Sequence, residues 1–151
     1  MKKTFALFLV ASLCSATLFA QHPSLSDSMG LTIRFGPYRD EAKALAEDFK
    51  KLLNAEIIVT DSAGTKWKVI EYNVGWRRRE ASDDTRTGVR KNITTYSAEK
   101  IEDSTRLTAI WQKQLKENLK SGEVISFEDV WVEHPTKHYI RRLKPMRIQI
   151  L

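Results

Sequence analysis

Lys66–Arg78 reads KWKVIEYNVGWRR, and this stretch decides the fold. Successive side chains of a strand point to opposite faces. The pattern therefore puts Lys68, Ile70, Tyr72, Val74 and Trp76 on one face and Glu71, Asn73 and Arg77 on the other. A run this long predicts a principal strand of a sheet. Just upstream, Glu56 to Thr60 is a β-branched strand, and Asp61-Ser62-Ala63-Gly64 has the residues of a turn. Asp61 to Thr65 thus joins an antiparallel pair.

Working outward, Leu31 to Phe35 alternates as a short strand. Pro37 suits the first position of a helix. Ala42, Leu45, Ala46, Phe49, Leu52 and Leu53 recur at helical spacing, so a helix is expected from Pro37 to a stop at Asn54. Asp40 and Glu41 near its start and Lys50 and Lys51 near its end suit the helix dipole. Residues 79–90 are polar and read as a loop, and Lys91 to Ser97 as a Thr-rich strand. A second helix begins near Asp103 or Ser104, with Leu107, Ile110, Trp111, Leu115 and Leu119 on one side and Gly122 as its stop.

Beyond Gly122, Ile125 and Phe127 are in phase, whereas Val130 and Val132 are out of phase with them. The switch falls on Glu128-Asp129, which predicts a β-bulge there. After a turn around Pro135 to Lys137, the final strand from Tyr139 to Ile150 is interrupted at Pro145. Two helices and about six mostly antiparallel strands predict an α+β domain over residues 31–151, with the helices covering one face of the sheet.

The amino terminus has the three-part layout of an export signal. Lys2 and Lys3 precede an apolar run from Phe5 to Leu13, and small residues lead to Ala20. Residues 1–20 are thus expected to be a signal peptide cleaved after Ala20, with Ala16 the alternative, and residues 21–30 a short leader. The apolar core is about half of the roughly 20 residues that a membrane span needs, so no stable membrane insertion is expected once the signal is removed. Leu13 is too bulky before Cys14 for the usual lipoprotein pattern. The expected location is the periplasm, the cell surface or the exterior.

Cys14 is the one cysteine, so the exported domain has no disulfide and relies on an ordinary core. Removing Lys2 and Lys3 takes the 25 basic side chains to 23 against 19 acidic ones, and the net charge from +6 to +4. This mild excess suits acidic proteins or anionic surfaces, and export argues against nucleic acid as a partner.

Chemistry-bearing residues are few. His134 and His138 are four apart beside Glu133, but Pro135 puts them in a turn rather than on the helix that a zinc site of that spacing needs. His22 lies in the leader. Neighbouring residues of a regular strand face opposite ways, so Glu128 and Asp129 are read as carboxylates that hold the bulge. Asp83-Asp84 has too few oxygen ligands near it for calcium. The densest basic run, Arg77-Arg78-Arg79, follows Trp76, and Arg141 and Arg142 add charge near the end. Arginine beside an aromatic is a binding surface in many proteins, so these six residues form the candidate interaction surface. Trp111 belongs to the core, and Trp67 and Trp131 are candidate platforms whose commoner role is packing. Asn92-Ile93-Thr94 matches a glycosylation sequon, relevant only in a eukaryotic source. No serine elbow, zinc-protease signature, phosphate loop or dinucleotide fingerprint occurs. No cofactor, metal or catalytic residue is expected.

From about Trp67 onward the order of features is a long strand, a loop, a strand, a short helix, a glycine and a closing strand pair. Its carriers are Leu115 to Leu119, Ser121-Gly122, VISFEDVWVEHP from Val124 to Pro135, and Arg142-Leu143 to Ile150. Within these, Gly122, Phe127-Glu128-Asp129-Val130, Pro135 and Met146-Arg147-Ile148 hold the structural positions. This half of the chain resembles the C-terminal domain of the GldM family (PorM-like), shaft proteins of the gliding-motility and type IX secretion machinery of Bacteroidota. The family's Gly-Pro-Asp-Gly turn is replaced by His134-Pro135-Thr136-Lys137. The resemblance implies a periplasmic or surface interaction domain that pairs with itself or with an envelope complex, and no active site. Two other readings remain open. One is a small secreted hydrolase of a polyanion or glycan, using Glu128, Glu133, His134 and His138. The other is a carbohydrate-binding module presenting Trp67, Trp76 or Trp131.

Overall fold

Alternating runs dominate the chain, and strands dominate its structure. The computed structural model describes residues 30–83, 86–88 and 90–151. The expected signal peptide at 1–20, nearly all of the leader, including His22, and Asp84 of the Asp83-Asp84 pair lie outside the described residues. The strands are β1 (Thr32–Phe35), β2 (Tyr38–Arg39), β3 (Glu41–Ala44), β4 (Ile57–Thr60), β5 (Lys66–Asp83), β6 (Arg90–Glu102), β7 (Val124–Glu133), β8 (Ile140–Arg142) and β9 (Met146–Ile150). Two short helices interrupt them, α1 (Ala46–Lys51) and α2 (Ala109–Asn118). They belong to one sheet ordered β2-β1-β4-β5-β7-β9-β3, with β6 on β5 and β8 on β7. The path begins at β2 and ends at β3, which are consecutive in the chain, so the sheet curls into a nearly closed barrel.

The α+β expectation is therefore overturned: the protein is mostly β, and its helices do not form a layer over a sheet. The error lies in the first helix. Only Ala46–Lys51 is helical, and Glu41–Ala44 instead pairs in parallel with β9, Ala42 opposite Ile148 and Ala44 opposite Ile150. Asp40 has φ +52°, a left-handed conformation that no helix can pass through and that aspartate tolerates better than most residues. Leu45, counted in the helical stripe, is 58% exposed. Pairing with β9, which the chain reaches about a hundred residues later, overrides local spacing. The second helix is shorter than expected too. It begins after Thr108, whose side chain accepts from the Trp111 amide as an N-cap. Leu107, Trp111, Leu115 and Leu119 are buried as the stripe requires, but Ile110 faces solvent.

The predicted bulge at Glu128-Asp129 is present, and it has a partner on the facing strand. Glu71 pairs with Trp131 and Asn73 with Glu128, so β7 carries one extra residue, at Asp129 with φ +50°. Val69 pairs with Val132 and Glu71 with Trp131, so β5 carries an extra residue at Ile70. Each bulge reverses its strand's phase at the same level of the sheet. Trp67 and Val69 point inward below it, and Tyr72, Val74 and Trp76 above it. Lys68 is accordingly exposed, not on the face of Tyr72 as the alternation suggested. Pro145 divides the last strand into β8 and β9 as expected.

The barrel is filled by Phe35, Phe49 and Phe127, with the Phe35 ring 5.6 Å from Phe49 and 5.0 Å from Phe127, centroid to centroid. Trp76 packs on Trp111 of α2 at 6.4 Å, fixing the helix to the barrel. Each large apolar side chain so buried stabilises the fold by about 1.5–3 kcal/mol. Glu123 is buried beside this pair. Its carboxylate accepts from Trp76 Nε1 at 2.8 Å and from the Lys120 amide at 3.0 Å, locking the end of α2 to the start of β7. Gly122, with φ +87°, makes the preceding turn and donates to the Ile150 carbonyl.

Candidate interaction surfaces

Of the residues read as a loop, 79–90, Arg79 to Asp83 instead continue β5 and Arg90 begins β6, while Arg86 and Thr87 lie in a turn. β5 and β6 pair through 13 positions, from Glu71 opposite Glu102 to Asp83 opposite Arg90. The pairing of β5 with β7 ends at Arg77 opposite Val124. The six pairs beyond it, Arg78↔Thr95 to Asp83↔Arg90, form a two-stranded ribbon about 20 Å long that projects past the barrel. Among the described residues β6 pairs with β5 alone, and no described strand lies along its other edge. Along that edge Ile93 and Tyr96 are large, exposed and apolar in part.

Of the six residues of the candidate surface, Trp76 is in the core and only 2% exposed. It is removed from the surface because its bulky ring fills the space against Trp111. Arg78 stacks over it at 4.7 Å and donates to Ser97 Oγ at 3.2 Å, so this guanidinium covers the core. Arg77 and Arg79 lie on the opposite face of β5 and are exposed. Arg142 is ion-paired to Asp129 and lies over Trp131, and Arg141 lies over Tyr139. The six residues do not converge into one patch.

Glu128 and Asp129, expected to face opposite ways, both act on the outer face because the bulge repeats the outward position. Glu128 accepts from the Tyr96 hydroxyl at 3.2 Å. Asp129 accepts from Asn73 Nδ2 at 3.0 Å and from Arg142. Partial burial, and next the Glu128 charge, push the Tyr96 phenol above its ordinary value, so it stays protonated and donates. Tyr96 and Ser126 were not singled out from sequence. The signal that points to them is Gly75, inside a strand where only a close approach justifies glycine. A Cβ there would sit 2.4 Å from Tyr96 Oη and 2.5 Å from Ser126 Oγ.

The histidines are committed to their turn. His134 Nδ1 accepts from the amides of Thr136 and Lys137, both at 3.2 Å, and its ring meets Trp67 edge-on at 4.8 Å. His138 has φ +53° and bonds Glu133 at 2.9 Å. Pro135 is exposed in the same turn. Glu128 is six residues away along β7, roughly 15–20 Å, so these groups do not share a pocket. Among the described residues no group of histidine, cysteine, aspartate and glutamate is placed to hold a metal ion. Trp67 is buried and Trp131 half-buried beneath Arg142, so with Trp76 they make no exposed row. A groove of about 990 Å³ separates α1 and α2, but Lys50, Lys51, Lys113 and Lys116 alternate there with Glu47 and Glu117. No described helix is long and apolar enough to cross a membrane.

A scan of family models finds no match to the chain, and a search of curated proteins finds none either.

Proposed function

We propose that the chain is an exported, non-enzymatic interaction domain of a cell envelope, similar to the terminal domain of GldM-family shaft proteins, and that it engages its partner by strand pairing along β6. The observation that carries this reading is the edge of β6 that no described strand pairs with, on a ribbon that outruns the barrel. An edge strand presents unpaired N–H and C=O groups. A partner strand satisfies them, and side-chain pockets on alternate residues add specificity. A two-stranded ribbon is marginal in water by itself, whereas a third strand would cover Ile93 and rigidify it. Arg79 on the outer face would favour an acidic partner. The signal-like amino terminus and the run β5, β6, α2, Gly122, β7 and a closing strand pair support the envelope assignment.

A photo-crosslinking residue at Ile93 or Thr94, in the native envelope, tests the proposal. The expected product is one discrete adduct, of doubled mass if the partner is a second copy. It should disappear in the variant carrying Ile93→Lys and Thr94→Lys, since lysines on an edge oppose pairing, and weaken with Arg79→Glu. An adduct that survives the double lysine variant, or none from β6 while a probe at Arg34 gives one, refutes strand pairing at this edge.

A further inference from the structure

The outer face of the sheet carries a second surface, distinct from the β6 edge. A cleft of about 320 Å³ is lined by Arg77, Tyr96, Val124, Ser126, Glu128 and Arg147. The register explains its shape. Gly75 and Ser126 stand opposite each other, with Arg147 next to Ser126 on β9 and Arg77 next to Val124 one step along. The centre of the face is therefore built of small residues and its flanks of long cationic ones. Arg77 and Arg147 are exposed, and neither side chain makes a hydrogen bond or ion pair with any described residue. Arg78 and Arg142, their neighbours in sequence and charge, are both engaged. A second cleft of about 250 Å³ shares Arg77, Val124 and Arg147 and adds Glu41, Ala42, Lys43 and Gln149, with Glu41 paired beside Arg147 on β3, so the two clefts together carry three cations and two carboxylates.

We propose that this surface binds one acidic sugar unit, a pyranose bearing a single carboxylate, held between Arg77 and Arg147. Arg77 and Arg147 rise from strands two spacings apart and are offset by two residues along them, which puts their backbones about 12 Å apart. Guanidiniums at that separation can close on one carboxylate from both sides. The Tyr96 ring lies against Gly75 with its hydroxyl already engaged by Glu128, and its other face is open to solvent. Such a face suits the C–H side of a sugar ring. Glu128 and Ser126 supply acceptors for sugar hydroxyls. The Glu128 charge leaves the first cleft with a net +1, which matches a monoanionic carboxylate better than a doubly charged phosphate. Tyr96 is shared with the β6 edge, whereas Arg77, Ser126, Glu128 and Arg147 lie on β5, β7 and β9, so the cations of this site are separate from the pairing positions Ile93 and Thr94.

Titration of ¹⁵N-labelled protein with trigalacturonate, followed by amide NMR, tests the proposal, with maltotriose and acetate as controls. Trigalacturonate should give saturable shifts at Gly75, Tyr96, Ser126 and Arg147. Arg77→Gln and Arg147→Gln should each weaken binding about tenfold, the worth of one charged hydrogen bond. Both side chains are exposed, and the variants' own spectra report whether the fold is kept. Absence of saturable shifts at about 20 mM, binding of maltotriose or acetate as tightly as trigalacturonate, or unchanged binding by the double glutamine variant would each overturn it.

Discussion

Replacing Gly75 with alanine should destabilise this protein, against the usual expectation for glycine in a strand. Alanine would normally gain about 0.5–1 kcal/mol there by restricting the unfolded chain. Here the new Cβ meets Tyr96 Oη at 2.4 Å, Ser126 Oγ at 2.5 Å and Tyr96 Cε2 at 2.9 Å. Ordinary contact needs about 3.5–4 Å, so both neighbours must retreat by about 1 Å or more. Tyr96 is 56% exposed and can swing outward. Doing so uncovers the backbone at Gly75 and breaks the bond to Glu128. Overpacking of this size costs about 1–3 kcal/mol, so the net loss is about 0.5–2 kcal/mol. For a domain of this length that lowers Tm by about 2–10 °C. Urea unfolding of Gly75→Ala, Tyr96→Ala and the double variant measures it directly. The two substitutions should be coupled by about 1 kcal/mol, because alanine at 96 removes the clash with the Tyr96 ring and leaves only that with Ser126 Oγ. A Gly75→Ala protein as stable as the parent, or strictly additive effects, would show that Tyr96 does not lie on Gly75.

Three further outcomes follow from buried polar groups and from one turn. Glu123→Ala should cost about 2–4 kcal/mol in urea unfolding, because Trp76 Nε1 is buried and loses its acceptor; Glu123→Gln, which keeps an acceptor oxygen, should cost clearly less. Tyr72→Phe should raise stability by about 1 kcal/mol, since the Tyr72 hydroxyl is buried with no hydrogen-bond partner among the described residues; a loss of stability would reveal a partner there. Asp61 accepts from the amides of Thr65 and Ala63, and the Thr65 bond is the main reason its carboxyl titrates below the ordinary 3.8. Its folded value is depressed, so its contribution is present above 3.8 and disappears as pH falls through the lower folded value. Thermal melts of Asp61→Asn should thus differ from the parent at pH 6 and converge with it at pH 2; a difference independent of pH would rule this out.

Elements with their pairing written into an unbroken pattern were legible in the sequence, and elements created by distant partners were not. The alternation of Lys66–Arg78 gave a strand, the phase switch at Glu128-Asp129 gave a bulge, and Pro145 gave a break, because each reflects a local constraint. The stripe from Ala42 to Leu53 satisfied helical spacing equally well, yet Ala42 and Ala44 face the core from a strand. What decides between the two is β9, and nothing near residue 42 indicates it. The polar composition of residues 79–83 misled for a related reason. A ribbon that leaves the barrel buries neither face, so it carries none of the apolar alternation by which strands are recognised.

The same distinction explains why the basic run pointed to the wrong set of side chains. Arg77, Arg78 and Arg79 are one charge cluster in sequence, but a strand sends Arg78 to the core side, where Trp76 takes it up, and Arg77 to the outer side. There its companion is Arg147, seventy residues away, visible in the sequence only as the polar member of Met146-Arg147-Ile148. The carboxylates behave conversely. Regular alternation would separate Glu128 from Asp129, but the left-handed turn at Asp129 keeps both on the face that carries Tyr96 and Asn73. Had these same residues of β7 run in regular alternation, Asp129 would point inward, Val130 would point outward and the barrel would lose a core position. The bulge that preserves the core is thus also what assembles polar groups outside it, and deleting Asp129 should return β7 to regular alternation with Val130 still inward, so that the loss falls on the Asn73 and Arg142 contacts of the outer face and not on the core.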